Sequence, residues 1–144
     1  MLSYNRNMKK GFTLIELMVV IFIIGILSAV AIPYMRGRTD ASKWTEGRCM
    51  AGTMRTAIRS LIAEKGNDYD YVTNITTLEQ LGFAPGDLSG RYFKDADFTF
   101  SFTNGGGAAL PGYLITVTAD SAGSPEAPVT PLVVTLNDAG TFTP

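Results

Sequence analysis

The sequence has no histidine and only one cysteine, Cys49, among its 144 residues. Histidine is the side chain that proteins most often use as a general base and as a metal ligand near neutral pH, so its absence argues against an enzyme. A single cysteine cannot form an intrachain disulfide. Because no histidine is there to activate its thiol, we expect Cys49 to be a small, buried or half-buried helix residue rather than a nucleophile.

The length suits one domain with a modest core. The formal net charge is also close to zero, at −1. A near-neutral chain does not bind by neutralising phosphates, so we expect no nucleic-acid partner. The charges that are present are unevenly distributed. Basic residues dominate residues 36–65, whereas residues 66–144 carry Arg91 and Lys94 against nine acids. Such asymmetry can orient subunits against one another, although it is equally compatible with a solvated surface.

One long apolar stretch covers residues 12–32, with Glu16 as its only charge. As a helix it is about 30 Å long, the thickness of a bilayer core. Lys9 and Lys10 precede it, so the positive-inside rule keeps residues 1–11 in the cytoplasm. Three interpretations compete: a plain membrane anchor, a secretory signal peptide cut after Ala31, or a segment processed between Gly11 and Phe12.

Glu16 distinguishes these interpretations. A carboxylate inside a membrane helix costs about 2–3 kcal/mol on insertion scales and is usually functional. A plain anchor or a signal peptide gains nothing from it. If the chain is cut before Phe12, however, Glu16 can neutralise the new amine of Phe12, in its own chain or in a neighbouring one.

The segment KKGFTLIE, residues 9–16, resembles the prepilin peptidase signature of type IV pilins and type II secretion pseudopilins, and the likeness continues to Pro33. The resemblance implies a leader, residues 1–11, that prepilin peptidase removes after Gly11, and methylation of the Phe12 amine. It also implies that Glu16 guides entry into a filament. A start at Met8 instead of Met1 gives a shorter leader, and the sequence leaves both starts open.

The same resemblance implies the partners and the location of the chain. Expected partners are further copies of the chain, minor pilins or pseudopilins, the peptidase, an inner-membrane assembly platform, and the lipid bilayer before assembly. We expect a bacterial inner-membrane protein that spans the bilayer once, through residues 12–33, and then enters a periplasmic or cell-surface filament. Residues 34–144 are expected to form its globular domain.

The predicted fold class is α+β, in which a long N-terminal helix packs on a small antiparallel sheet of three to four strands. Pro33 should kink or locally melt this helix, which is expected to end near Lys65, before Gly66. An apolar stripe on its second half should face the sheet. The stripe consists of Trp44, Ala51, Met54, Ile58, Leu61 and Ile62. A brief helix is predicted at residues 77–83, and strands at residues 98–102, 113–119 and 132–136. Residues 104–109 and 120–131 are predicted to be loops.

We expect no cofactor. Major pseudopilins bind calcium through an acidic C-terminal loop, but the corresponding loop here offers only Asp120 and Glu126, with Asn137 and Asp138 further on. Calcium needs about six or more oxygen ligands. The acid pairs Asp68/Asp70 and Asp95/Asp97 are interpreted as solvated surface.

Type IV pilins often close a C-terminal loop with two cysteines, which this chain lacks. That departure keeps a pseudopilin of a type II secretion system open as the alternative to a pilus subunit. A secreted soluble domain with a conventional signal peptide is the remaining alternative.

Overall fold

The computed structural model describes residues 11–103, 110–119 and 126–144. Its helices are α1 (Leu14–Lys65) and α2 (Tyr71–Asn74), with single 3₁₀ turns at Glu79–Leu81 and Asp95–Asp97. Its strands are β1 (Phe98–Thr103), β2 (Gly112–Thr118), β3 (Val133–Asn137) and β4 (Phe142–Thr143). The predicted α+β class is confirmed. The chain divides into two units, one ending at Arg36 and the other covering Gly37–Pro144.

The first unit is the N-terminal part of α1, and its apolar side chains are exposed throughout. It therefore has no hydrophobic core of its own. The helix assignment continues without interruption through Pro33, so the helix is not melted at the proline in the subunit. A kink at Pro33 stays a prediction.

The second unit is built on one face of α1. Residues Trp44, Gly47, Ala51, Met54 and Ile58 recur every three or four positions and are buried. This spacing places them on one side of the helix, as the apolar stripe predicted. Leu61 and Ile62 continue it half-buried.

The sheet that covers this face is antiparallel, with strand order β1-β2-β3-β4. Side chains alternate along β1, β2 and β3, and the inward set forms the core with α1. This inward set consists of Phe98, Phe102, Tyr113, Ile115, Val117, Val134 and Leu136. The three predicted strands are confirmed to within one residue at each end, and β4 was not predicted separately. Residues 104–109 and 120–125, which belong to the predicted loops, lie outside the described residues.

The segment between α1 and β1 holds more structure than its sequence indicated. The helix predicted at residues 77–83 is a single 3₁₀ turn in which Leu81 is buried. The preceding helix α2 was missed because it is only four residues long. Asp70 caps α2, since its side chain accepts a hydrogen bond from the backbone N–H of Thr73 at 3.3 Å.

Polar side chains on α1 hold the loops against the helix. Asp40 Oδ2 accepts hydrogen bonds from the backbone N–H groups of Val129 and Thr130, both at 3.1 Å. Glu46 Oε1 accepts from the N–H groups of Tyr92 and Phe93 at 2.8 and 3.2 Å. These bonds satisfy loop N–H groups that would otherwise be buried without a partner.

Two further donors on α1 reach the C-terminal segment. The Trp44 indole N–H donates to the carbonyl of Pro131 at 3.0 Å, and Arg55 Nη2 donates to the carbonyl of Asp138 at 3.2 Å. In a chain without a disulfide, these side chains and Asp40 fasten the segment to the helix.

Two expectations about single residues are wrong. Cys49 is exposed rather than buried, because it lies on the side of α1 that faces away from the sheet. Asp97 is fully buried rather than solvated. Its Oδ2 accepts from the backbone N–H of Lys94 at 2.7 Å, so the carboxylate caps the turn that leads into β1.

Gly47 is a helix position where added volume should be poorly tolerated. A Cβ there would lie 2.9 Å from Cζ of Phe93, whereas a Cβ at Gly52, on the same helix, meets nothing within 4 Å. We expect Gly47→Ala to destabilise the second unit by about 1–3 kcal/mol, because the buried ring must shift. Gly52→Ala should be neutral or stabilise it by up to about 1 kcal/mol through helix propensity. Thermal unfolding of the full chain in detergent, followed by fluorescence of Trp44, measures both. Equal stability of the two variants would contradict the packing at Gly47.

The Asp40 carboxylate should contribute stability through the loop it holds. Asp40→Ala leaves the N–H groups of Val129 and Thr130 without this acceptor, and we expect a loss of about 1.5–3 kcal/mol. Asp68→Ala is the matched control, because Asp68 is exposed and should change stability by no more than about 0.5 kcal/mol. The same unfolding measurement compares them, and an unchanged midpoint for Asp40→Ala would count against this role.

Candidate functional site

The N-terminal end of α1 is a capping box formed by Thr13 and Glu16. Glu16 Oε2 accepts hydrogen bonds from the Thr13 backbone N–H and from its hydroxyl, both at 2.8 Å. In return, Thr13 Oγ1 accepts from the Glu16 backbone N–H at 3.3 Å. This reciprocal pattern satisfies backbone donors at the start of the helix and places a negative charge in its first turn, where the helix dipole favours one.

Gly11 and Phe12 lie just before this cap. Neither residue is helical, and the Phe12 side chain is 83% exposed. A Cβ built on Gly11 would meet nothing within 4 Å. The Gly11–Phe12 peptide bond therefore lies outside the hydrogen-bonded helix, where a peptidase can reach the backbone.

The structure thus brings Gly11, Phe12 and Glu16 together within the first turn of α1 and the residues before it. Pro33 lies 17 residues beyond Glu16, about 25 Å along the helix at 1.5 Å per residue. It does not contribute to the same site.

The surface that follows the cap is apolar on every side. In the helix after Glu16, large hydrophobic side chains are exposed on all faces. They comprise Leu17, Met18, Val19, Val20, Ile21, Phe22, Ile23, Ile24, Ile26, Leu27, Val30 and Ile32. Among the described residues, α1 is the one helix long and apolar enough to cross a membrane. A helix that is hydrophobic all round requires lipid or other helices around it.

Those residues considered for calcium that the structure describes do not form a cluster. Within the described parts of the chain, no group of three acidic, cysteine or histidine side chains is suited to a metal ion. Glu126 pairs with Arg91, N to O 2.9 Å, and the nearby guanidinium lowers the pKa of the Glu126 carboxyl. Asn137 Oδ1 accepts from the Thr141 N–H at 2.8 Å. Asp120 lies outside the described residues.

Sequence reasoning assigned Glu16 to the amine of Phe12 and missed its bonds to Thr13. The signal was present, because a threonine followed three residues later by glutamate before an apolar run is a capping-box pattern. In the uncut chain the Phe12 nitrogen is an amide, so Thr13 supplies the donors that Glu16 accepts from.

The chain thus has an apolar helix with one carboxylate near its start, and the continuation of this helix packs on an antiparallel sheet. This combination fits a membrane-anchored subunit. The comparisons with known proteins agree. The profile of the prokaryotic N-terminal methylation motif matches residues 6–32. No solved structure matches the chain significantly.

Three relatives illustrate the likeness. A fimbrial protein of Pseudomonas aeruginosa is 32% identical over 126 residues, which cover 80% of this chain and 82% of that protein. A type IV major fimbrial protein of Dichelobacter nodosus is 40% identical over 81 residues, 56% of this chain and 52% of that protein. A type IV major pilin protein of Neisseria gonorrhoeae is 34% identical over 92 residues, 64% of this chain and 53% of that protein. The chain belongs to the type IV pilin family.

Proposed function

We propose that the chain is a structural subunit of a type IV pilus filament, which forms when many copies pack through the N-terminal half of α1. The observation that carries this proposal is the apolar surface of that helix, which is exposed on all sides in the single subunit. Lipid covers such a surface before assembly, and the helices of neighbouring subunits can cover it afterwards.

The proposed maturation is cleavage between Gly11 and Phe12 by prepilin peptidase, followed by N-methylation of Phe12. It is supported by the non-helical backbone and open space at Gly11 and by the match of residues 6–32 to the N-terminal methylation motif. Before assembly, the subunit would span the inner membrane with its N-terminus in the cytoplasm, because Lys9 and Lys10 precede the apolar stretch. The assembly platform and minor pilins would then take it into the filament.

Glu16 is proposed to guide this assembly through its charge. After cleavage, Phe12 carries a positive amine four residues before Glu16, and the carboxylate already accepts bonds at the start of the helix. In a bundle of apolar helices the dielectric constant is low, so an ion pair between Glu16 and a Phe12 amine favours one axial register over its neighbours.

A second candidate function is a type II secretion pseudopilin. The observation that favours it is the lack of the C-terminal cysteine pair found in many pilins. In this chain, hydrogen bonds with side chains such as Asp40 and Arg55 hold the C-terminal segment instead. Deletion of the coding gene distinguishes the two: loss of surface filaments indicates a pilus, and loss of exoprotein secretion indicates a pseudopilus.

Processing is tested by the mass of the N-terminal peptide from protein purified out of its own cells. We expect a chain that begins at N-methyl-Phe12. Gly11→Val should abolish cleavage, because a branched side chain next to the scissile bond obstructs a site adapted to glycine, whereas Gly25→Val, within the apolar helix, should be cleaved normally. Efficient cleavage of Gly11→Val would contradict the site. A wild-type chain that begins at Ile32 would identify a discarded signal peptide and overturn the filament proposal.

The charge of Glu16 can be separated from its capping role with two substitutions. Glu16→Gln keeps an oxygen that can accept from Thr13 but carries no charge, whereas Glu16→Ala removes both. We expect both variants to be cleaved, and filament yield to fall by at least about tenfold in both, because the partner of the Phe12 amine is lost. Sheared filaments, measured against total mature subunit, report the yield. Normal yield with Glu16→Gln would mean that capping, rather than charge, is what assembly requires.

A further inference from the structure

One flank of the second unit carries arginines beside strand β4. Arg48 and Arg59 are exposed on α1, and Arg55 lies between them, half-buried. The guanidinium carbon of Arg48 lies 5.8 Å from the centre of the Phe142 ring in β4, and Arg55 donates to the carbonyl of Asp138 in the turn before it. We call the three arginines the basic flank. Asp138 is exposed next to them and leaves the flank with a net positive charge.

The acids of the same stretch of helix do not offset this charge at the surface. Residues 34–63 contain two acids, Asp40 and Glu46. Both point towards loops of their own subunit, where each carboxylate accepts two backbone N–H bonds. The outward side of the helix is therefore cationic.

The segment that follows α1 has the opposite character. Residues 66–90 contain four acids and no base. All four acids, Asp68, Asp70, Glu79 and Asp87, are exposed. We call them the acidic flank. Nearby, Lys43 and Arg91 lie over the Tyr92 ring and Lys94 donates to the Gly90 carbonyl. Arg91 is paired with Glu126, and the three cations are outnumbered by the four acids.

Arg48 and the segment that carries the acidic flank lie at opposite edges of the sheet. That segment lies beside β1. The Tyr71 ring lies 5.4 Å from that of Phe102, and Asp95, directly before β1, accepts bonds from the Leu88 N–H and the Ser89 hydroxyl, both at 3.0 Å. Arg48 lies beside β4, and Arg55 reaches the turn before it. Because the strand order is β1-β2-β3-β4, the width of the sheet separates Arg48 from that segment within one subunit. Arg59 lies near the start of the segment, since it lines one groove with Gly66 and Asn67.

We propose that the basic flank of one copy docks on the acidic flank of the next copy. Arg48, Arg59, Asp68 and Glu79 take part in no ion pair within the part of the chain that the structure describes, so all four are available to a partner. A contact between two different surfaces of the same chain does not close on itself and repeats to give an open helical polymer. The inference rests on the proposed filament and names a second contact in it, between globular units, which selects orientation by charge.

The test is a charge exchange in the full-length chain, expressed in cells that lack their own copy. Arg48→Glu/Arg59→Glu and Asp68→Lys/Glu79→Lys each place like charges across the contact, and we expect each to lower the yield of sheared filaments by at least about fivefold. The four substitutions together restore opposite charges and should bring the yield back to within about twofold of wild type. Arg48→Lys/Arg59→Lys keeps the charge and should behave like the wild type.

The outcomes are distinguishable. Normal filaments with both reversed variants overturn the proposal. The proposal is also overturned if only the reversed arginines cause a defect and the fourfold variant does not repair it. The arginines would then face another anion, such as lipid headgroups. If a reversed variant unfolds, the rate at which sheared wild-type filaments dissociate in detergent tests the contact instead. We expect a higher dissociation rate at about 500 mM salt than at about 50 mM salt, and equal rates would overturn the contact. Absence of wild-type filaments would instead refute the proposed function itself.

Discussion

The packing of one helical stripe on one sheet face is the interaction on which the rest of the globular unit depends. Trp44, Ala51, Met54 and Ile58 meet the inward side chains of the strands, and this places the two remaining sides of α1 next to the flanking loops. Only then can Asp40 and Glu46 reach backbone N–H groups far away in sequence. The polar contacts fix loop positions, but the apolar contact decides which residues can make them.

The same helix meets a different solvent at each end. After Gly37 it buries one stripe and keeps polar side chains outside, as a helix of a soluble domain does. Before Arg36 it exposes hydrophobic side chains all round, which no water-filled environment would favour. In the proposed filament, one chain would meet both environments, because the first part would lie among other apolar helices and the second would stay in contact with water.

Elements whose signal is local and periodic could be predicted from the sequence. The apolar stripe of α1 and the alternation of β1 and β2 each follow from one repeating pattern. Residues whose environment depends on distant segments could not. The burial of Asp97 depends on the turn that precedes β1, and the exposure of Cys49 depends on which side of α1 the sheet covers. At the proposed processing site, Gly11, Phe12 and Glu16 were selected from a motif, whereas the pairing of Glu16 with Thr13 is a local pattern that the motif obscured.

The exposed position of Cys49 makes this chain unusually accessible to spectroscopy. As the single cysteine, on the side of α1 away from the sheet, it offers one thiol for a spin label or a fluorophore without competing sites. It directly follows Arg48, so a label there sits at the border of the basic flank. In a polymer of identical copies, the separation between labels is the distance between equivalent points of neighbouring subunits, and that single number constrains the rise and rotation of the helical lattice.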